Sequence, residues 1–207
     1  MLLNKEHEVL AGFIKAPWSK LTLRQVKELS GKSSGSYVHG SLKRFVKGGL
    51  LKEERVGNTV LYRLDMGSLK TCSYLGFVAE YAARSKRHVP FSDLERIMRK
   101  MPGPYYSLLV TGSYASNKQN GGSDVDVVII CDDCSEPKKI YAELSHECDM
   151  NIPPIHLYVF KKSEFLSMLV DSKANYGKET AKNNFVLAGG REYYSILGEA
   201  IRNGFNG

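Results

Sequence analysis

The stretch TGSYASNKQNGGSDVDVVII, Thr111 to Ile130, decides how the rest of the chain is read. A strand-like run, Ser107 to Thr111, leads into Gly112-Ser113, and ten residues then separate Ser113 from Asp124. Asp126 follows, at the mouth of an apolar run, Val127 to Ile130. Each residue type has a chemical reason. Gly112 has no Cβ, so a backbone turn there can approach a bulky anion and take unusual dihedrals. Ser113 offers a hydroxyl, and the turn offers N–H donors, for phosphate oxygens. Residues two apart on a strand share a face, which would set Asp124 and Asp126 about 7 Å apart. Two outward carboxylates at that spacing suit Mg²⁺ (or Mn²⁺) beside a triphosphate.

The same residues resemble the signature of the nucleotidyltransferase superfamily typified by DNA polymerase β: G-S-x-A-x-G, five residues, then S-D-x-D. Gly112, Ser113, Ala115, Ser123, Asp124 and Asp126 occupy its positions at the right spacing. Asn117 stands where the second glycine would be, and Asn is the next most tolerant residue for left-handed backbone. The resemblance implies a reaction in which a hydroxyl attacks the α-phosphate of a nucleoside triphosphate and pyrophosphate leaves. It implies that Gly112, Ser113 and Ser123 hold the nucleotide and that Asp124 and Asp126 hold the metal. Family members usually carry a third carboxylate on the strand after the next helix. Here that strand is IHLYVF, Ile155 to Phe160, and it holds none. His156 is its best-placed polar residue, on the face opposite Ile155 and Leu157. An imidazole can take a proton near neutral pH, so His156 is the candidate catalytic base. Asp149, shortly before the strand, is the next.

The chain has 207 residues, 43% hydrophobic and 25% charged, ordinary for one or two globular domains. It lacks a run long enough to cross a bilayer, and MLLNKEHEVL lacks a signal-peptide core; a cytoplasmic protein without a membrane partner is expected. The net charge of +7 is uneven. Residues 1–100 carry 19 Lys and Arg against 9 Asp and Glu, while residues 101–207 carry 10 against 13. That split suggests a polyanion partner for the first half. Cys131 and Cys134 form a C-x-x-C, with His146 and Cys148 following. A helix over 137–147, on the order of 15 Å long, would carry the latter two to the far end of the strand, which argues against zinc. A disulfide between Cys131 and Cys134 is not expected in a reducing compartment.

Residues 1–66 read as a winged helix-turn-helix. Asn4 caps a helix presenting Leu10, Phe13 and Ile14. Thr22 caps a second, with Leu23, Val26 and Leu29 buried. Ser33 or Ser34 starts a third, with Tyr37, Val38, Leu42, Phe45 and Val46 inward, ending at Gly48-Gly49. Leu50–Val56 and Thr59–Leu64 form a hairpin about Gly57-Asn58. The arrangement resembles archaeal and bacterial winged-helix regulators. Lys43, Arg44 and Lys47 on the third helix, with Arg55 and Arg63 on the wing, are the candidate duplex-DNA contacts. A protein-contact role for the same basic face stays open.

Residues 67–104 read as a helical linker, with Tyr74, Leu75, Phe77, Val78, Tyr81 and Ala82 as its apolar stripe and Ser92 capping a helix to Met101. Residues 105–207 read as the nucleotidyltransferase-like domain. Its tail, KETAKNNFVLAGGREYYSIL, also resembles family members in which a helix leads to a short strand, a glycine and a last helix. The fold class is therefore α/β (α+β): a winged helix, a helical linker, and a small mixed sheet flanked by helices. The functional expectation is Mg²⁺-dependent transfer of a nucleoside monophosphate from a triphosphate to a hydroxyl acceptor. Two alternatives stand beside it. One is a non-catalytic DNA-binding regulator whose second domain senses nucleotide or a partner. The other is a toxin–antitoxin-type transferase acting on protein or RNA. A homodimer is left open.

Overall fold

The structure, a computed structural model, describes residues 5–207. A 3-10 helix, Lys5–Leu10, runs into α1, Ala11–Lys15, and together they bury Val9, Leu10 and Phe13. The cap expected at Asn4 lies outside the described residues. Thr22 caps α2, Leu23–Ser30, reciprocally: its hydroxyl accepts the Gln25 N–H at 3.2 Å, and Gln25 Oε1 accepts the Thr22 N–H at 2.8 Å. Losing such a cap typically costs about 1 kcal/mol, because helix-start donors are left open. Ser34 caps α3, Gly35–Lys47, in the same way. β2, Leu51–Val56, and β3, Thr59–Leu64, pair around Gly57-Asn58, and β1, Leu21–Thr22, adds to β3 from the other side.

Two residues expected in this core lie outside it. Leu29 is 53% exposed, because it covers the backbone of α1: a Cβ on Gly12 would come within 2.7 Å of Leu29 Cδ1. Tyr37 is 36% exposed, in the first turn of α3, while Val38, Leu42 and Phe45 hold the buried side.

α4, Leu69–Ala83, is built into the core. Its buried face is Thr71, Cys72, Leu75, Gly76, Val78, Ala79 and Ala83; of the stripe read from sequence, Leu75 and Val78 are buried and Tyr74 and Tyr81 partly so, while Ala82 is exposed and Phe77 points out, 54% exposed. Close packing selects this face. A Cβ on Gly76 would lie 2.4 Å from the backbone nitrogen of Arg191, so only small residues can face α10, Gly190–Arg202. Glu80 Oε1 accepts the Gly190 N–H at 2.7 Å, and burial raises the Glu80 pKa. α5, Phe91–Arg99, starts at Pro90 rather than from a Ser92 cap; no side chain caps it.

The second sheet has the order β6-β5-β4-β7, from β4 Tyr106–Thr111, β5 Val125–Cys131, β6 Ile155–Lys161 and β7 Asn184–Ala188. β5 and β6 are parallel, joined through α7, Pro137–Asp149; the other pairs are antiparallel. β5 is covered on both faces, which explains its nearly unbroken apolar run. Val127 and Ile129 pack with Ile140 and Leu144. Val128 and Ile130 face Phe165 of α8, Lys162–Val170, and Tyr193 of α10, in one cluster that continues to Val9 and Phe13. α9, Tyr176–Lys182, precedes β7. Among the described residues no helix is long and apolar enough to cross a membrane.

Candidate functional site

β4 ends where β5 and β6 begin, so one end of this sheet gathers the Gly-Ser turn, both aspartates and His156. Gly112 opens α6, Gly112–Ala115, at φ 65°. A Cβ there would lie 2.0 Å from Asp126 Oδ2. The carboxylate therefore rests against the bare Cα, and glycine is needed for this approach as well as for the turn. Asn117 takes φ 56°, the left-handed conformation expected at that position. The turn closes through Lys118 N–H donating to the Ser113 carbonyl at 2.9 Å.

The two aspartates are not equivalent. Asp126 is the second residue of β5, whereas Asp124 precedes the strand and is exposed, which corrects the expectation that both lie on it. The Asp126 side chain is only 29% exposed. Burial raises its pKa above the ordinary carboxylate range; His156 offsets this and Asp124 adds to it. Parallel register sets His156 directly beside Asp126. Its Nδ1 lies 3.8 Å from Asp126 Oδ1, and its side chain is 64% exposed. Sequence spacing thus brings Gly112, Ser113, Asp124, Asp126 and His156 to one place. Ser123 acts within its own loop: its Oγ accepts the Asn120 N–H at 2.9 Å. Asp149 ends α7 on the surface, where its charge falls on Cys148.

Several residues of the site were not found from sequence. Asn183 donates its side-chain N–H to the Gly112 carbonyl at 2.9 Å, and the Thr111 hydroxyl donates to the Asn183 carbonyl at 2.6 Å. The Ser116 hydroxyl also donates to Gly112, at 3.1 Å. Tyr158 packs on His156 with ring centroids 5.3 Å apart, and Tyr176 on Tyr158 at 4.5 Å. The Tyr176 and Thr180 hydroxyls are buried without a well-shaped hydrogen bond, although Thr180 slightly offsets the rise that burial gives the Tyr176 pKa. Tyr176, Thr180 and Asn183 come from the segment after α8, and Asn183 lies 71 residues from Gly112, so no local spacing announces them.

The chemistry of the inner carboxylate fits a hard cation. Among the described residues no Lys or Arg pairs with Asp126. Mg²⁺ commonly binds through one or two carboxylates completed by substrate phosphates and water. No cluster of three or more His, Cys, Asp or Glu suited to a metal occurs among the described residues, and all four cysteines are free.

The basic residues read from the first half are exposed, but they differ in pairing. Lys43 Nζ is 2.7 Å from Glu53 Oε1, Arg44 pairs with Glu6, and Arg63 Nε is 4.0 Å from Glu54. Lys47 and Arg55 are exposed with no ion pair among the described residues.

Residues 92–187 match the family model described as a nucleotidyltransferase domain. The matched span contains the Gly-Ser turn, both aspartates, His156 and Asn183, and supports nucleotidyl transfer as the general activity of this segment. Neither the curated proteins nor the solved structures gave a match.

Proposed function

We propose that the chain is a Mg²⁺-dependent nucleotidyltransferase that moves a nucleoside monophosphate from a triphosphate to a hydroxyl acceptor. The observation that carries this is the Asp126 carboxylate against the bare Cα of Gly112, with His156 3.8 Å away. The backbone of the Gly112-Ser113 turn and the Ser113 hydroxyl would hold the triphosphate. Asp124 and Asp126 would hold the cation, which when bound neutralises phosphate charge. Asn183 and Ser116 fix the Gly112 carbonyl and so the direction of the turn. His156 would take the acceptor proton. Positioning and charge neutralisation supply most of the rate in such a site.

A second reading has its own observation. The strand position beside Asp126 holds His156, not a third carboxylate, which favours a non-catalytic domain that binds nucleotide. Incubation with labelled nucleoside triphosphates, Mg²⁺ and cell extract separates the two readings, since transfer releases pyrophosphate and labels an acceptor. Under the transfer reading, His156→Ala lowers the rate by roughly a hundred- to ten-thousand-fold. His156→Asp preserves or raises it. If only the His156→Asp protein releases pyrophosphate, the wild-type domain binds without transferring.

We also propose that residues 1–66 form a winged helix-turn-helix that meets duplex DNA, mainly through phosphates. Its support is the excess of Lys and Arg in this half and the exposure of Lys43, Arg44, Lys47, Arg55 and Arg63. The test is DNA binding by the full chain across a salt series.

A further inference from the structure

Between the N-terminal helices and the four-stranded sheet lies a cleft of about 760 Å³, a volume typical of small-molecule sites. Ile14, Ala79 and Phe185 contribute apolar walls. Three lysines from separate elements line it as well: Lys15 of α1, Lys86 beyond α4 and Lys182 of α9. Among the described residues none of the three forms an ion pair, whereas Lys32, which reaches Glu8 of the same cleft, does. Lys86 Nζ stands 5.3 Å from the centre of the Phe185 ring. The carboxylate lining the cleft, Glu8, is bound to Lys32, which lowers its pKa and neutralises its charge.

Uncompensated cations around an apolar, partly aromatic surface suit a ligand that is flat and apolar at one end and multiply anionic at the other. A nucleoside phosphate has that form. Ser116 and Asn183 line the same cleft, and both donate to the Gly112 carbonyl. An occupant would therefore touch α1 on one side and the supports of the Gly-Ser turn on the other.

We propose that this cleft is a second nucleotide site, which holds a nucleoside phosphate without a metal ion, its base on the apolar wall and its phosphates among Lys15, Lys86 and Lys182. The site does not rest on the transfer reading, because it uses neither Asp124 nor Asp126. Calorimetry on the full chain with ADP in the presence of EDTA tests it. Binding at a single site is expected, unchanged by Asp124→Asn with Asp126→Asn. Lys86→Gln with Lys182→Gln should weaken it by about tenfold or more. Lys15→Gln, on an exposed side chain, should weaken it separately. Inorganic pyrophosphate, which has no base, should bind at least about tenfold more weakly than ADP. The proposal is overturned if ADP does not bind without metal, if the aspartate variant loses the binding, if the lysine variants bind like wild type, or if pyrophosphate matches ADP.

Discussion

Glu53 and Glu54 in β2 and Asp126 in β5 are all strand carboxylates, and their surroundings are opposite. Glu53 is hydrogen-bonded by Lys43, and Glu54 by Lys20; both pKa values are lowered by those partners. Among the described residues Asp126 has no Lys or Arg partner, only the His156 imidazole as a possible counter-charge, and burial raises its pKa. The first sheet supplies its own counter-charges, as expected of groups that only dress a surface. The second sheet holds a half-buried carboxylate that its own cations do not neutralise. The difference fits the site proposed at the second, and it also revises the reading of the first. Several of the cations in residues 1–100 are paired with glutamates of the same half, so counting lysines alone overstates how many are free to meet a polyanion.

Removing the uncompensated pair should have the largest effect. Asp124→Asn with Asp126→Asn should abolish Mg²⁺–nucleoside triphosphate binding by calorimetry while circular dichroism shows an intact fold. Losing partners that merely orient a metal ligand typically costs about 10- to 100-fold, so losing two ligands should exceed that. Unchanged affinity would mean that the charge contrast has no functional content.

Gly112→Ala comes next. The new Cβ would fall 2.0 Å from Asp126 Oδ2, so the carboxylate must move. The left-handed backbone adds a cost of roughly 1–2 kcal/mol. Weaker Mg²⁺–nucleotide binding and a lower melting temperature are expected together. A variant that melts early yet binds normally would show that the observed carboxylate pose is not the binding pose.

On α3 and β2, two double variants divide the basic face. Lys47→Ala with Arg55→Ala should reduce DNA affinity and its salt slope more than Lys43→Ala with Arg44→Ala, because the latter pair must first leave Glu53 and Glu6. Each lost phosphate contact is worth about 0.9 in the slope. Equal losses, measured by fluorescence anisotropy, would show that the internal ion pairs cost DNA binding nothing. No binding at low salt would leave the face to protein contact.

The smallest effects are on stability, and they carry opposite signs. The raised Asp126 pKa means that the folded state holds this proton more tightly than the unfolded chain. Its contribution is fully present below the ordinary 3.8 and is lost as pH rises through the raised native value. Asp126→Asn should therefore melt slightly higher than wild type at pH 7, with the gap closing in acid. Glu53 is the reverse: its lowered pKa gives stability above the ordinary 4.5 that is lost as pH falls through the native value. Glu53→Gln should melt slightly lower at pH 7, and that gap should also close in acid. Melting curves with the same sign for both substitutions would break the contrast.

Local rules made much of this molecule legible. Thr22 and Ser34 cap helices because a hydroxyl satisfies donors within three residues, and that geometry needs nothing from the rest of the chain. Hairpin and strand limits around Gly57-Asn58 and Thr111 follow from turn chemistry and apolar runs for the same reason. Gly112, Asp126 and His156 were legible because strand alternation and parallel register place them together. Helix faces were less so. The aromatics of α4 look like its buried stripe, yet Phe77 is outside, because the chosen face depends on how closely α10 approaches Gly76.

The sequence by itself determined the Gly-Ser turn, the Asp pair, the histidine in place of a third carboxylate and the order of the elements, since each is a matter of residue type and short-range spacing. Only the tertiary structure decided that Asp126 is the inner, desolvated carboxylate and Asp124 the outer one. It also decided that Asn183 holds the Gly-Ser turn across 71 residues, and that Lys43 and Arg44 are already paired while Lys15, Lys86 and Lys182 meet around one cleft with no ion pair among the described residues. Burial and pairing are properties of what packs against a group, and that is set by contacts far apart along the chain.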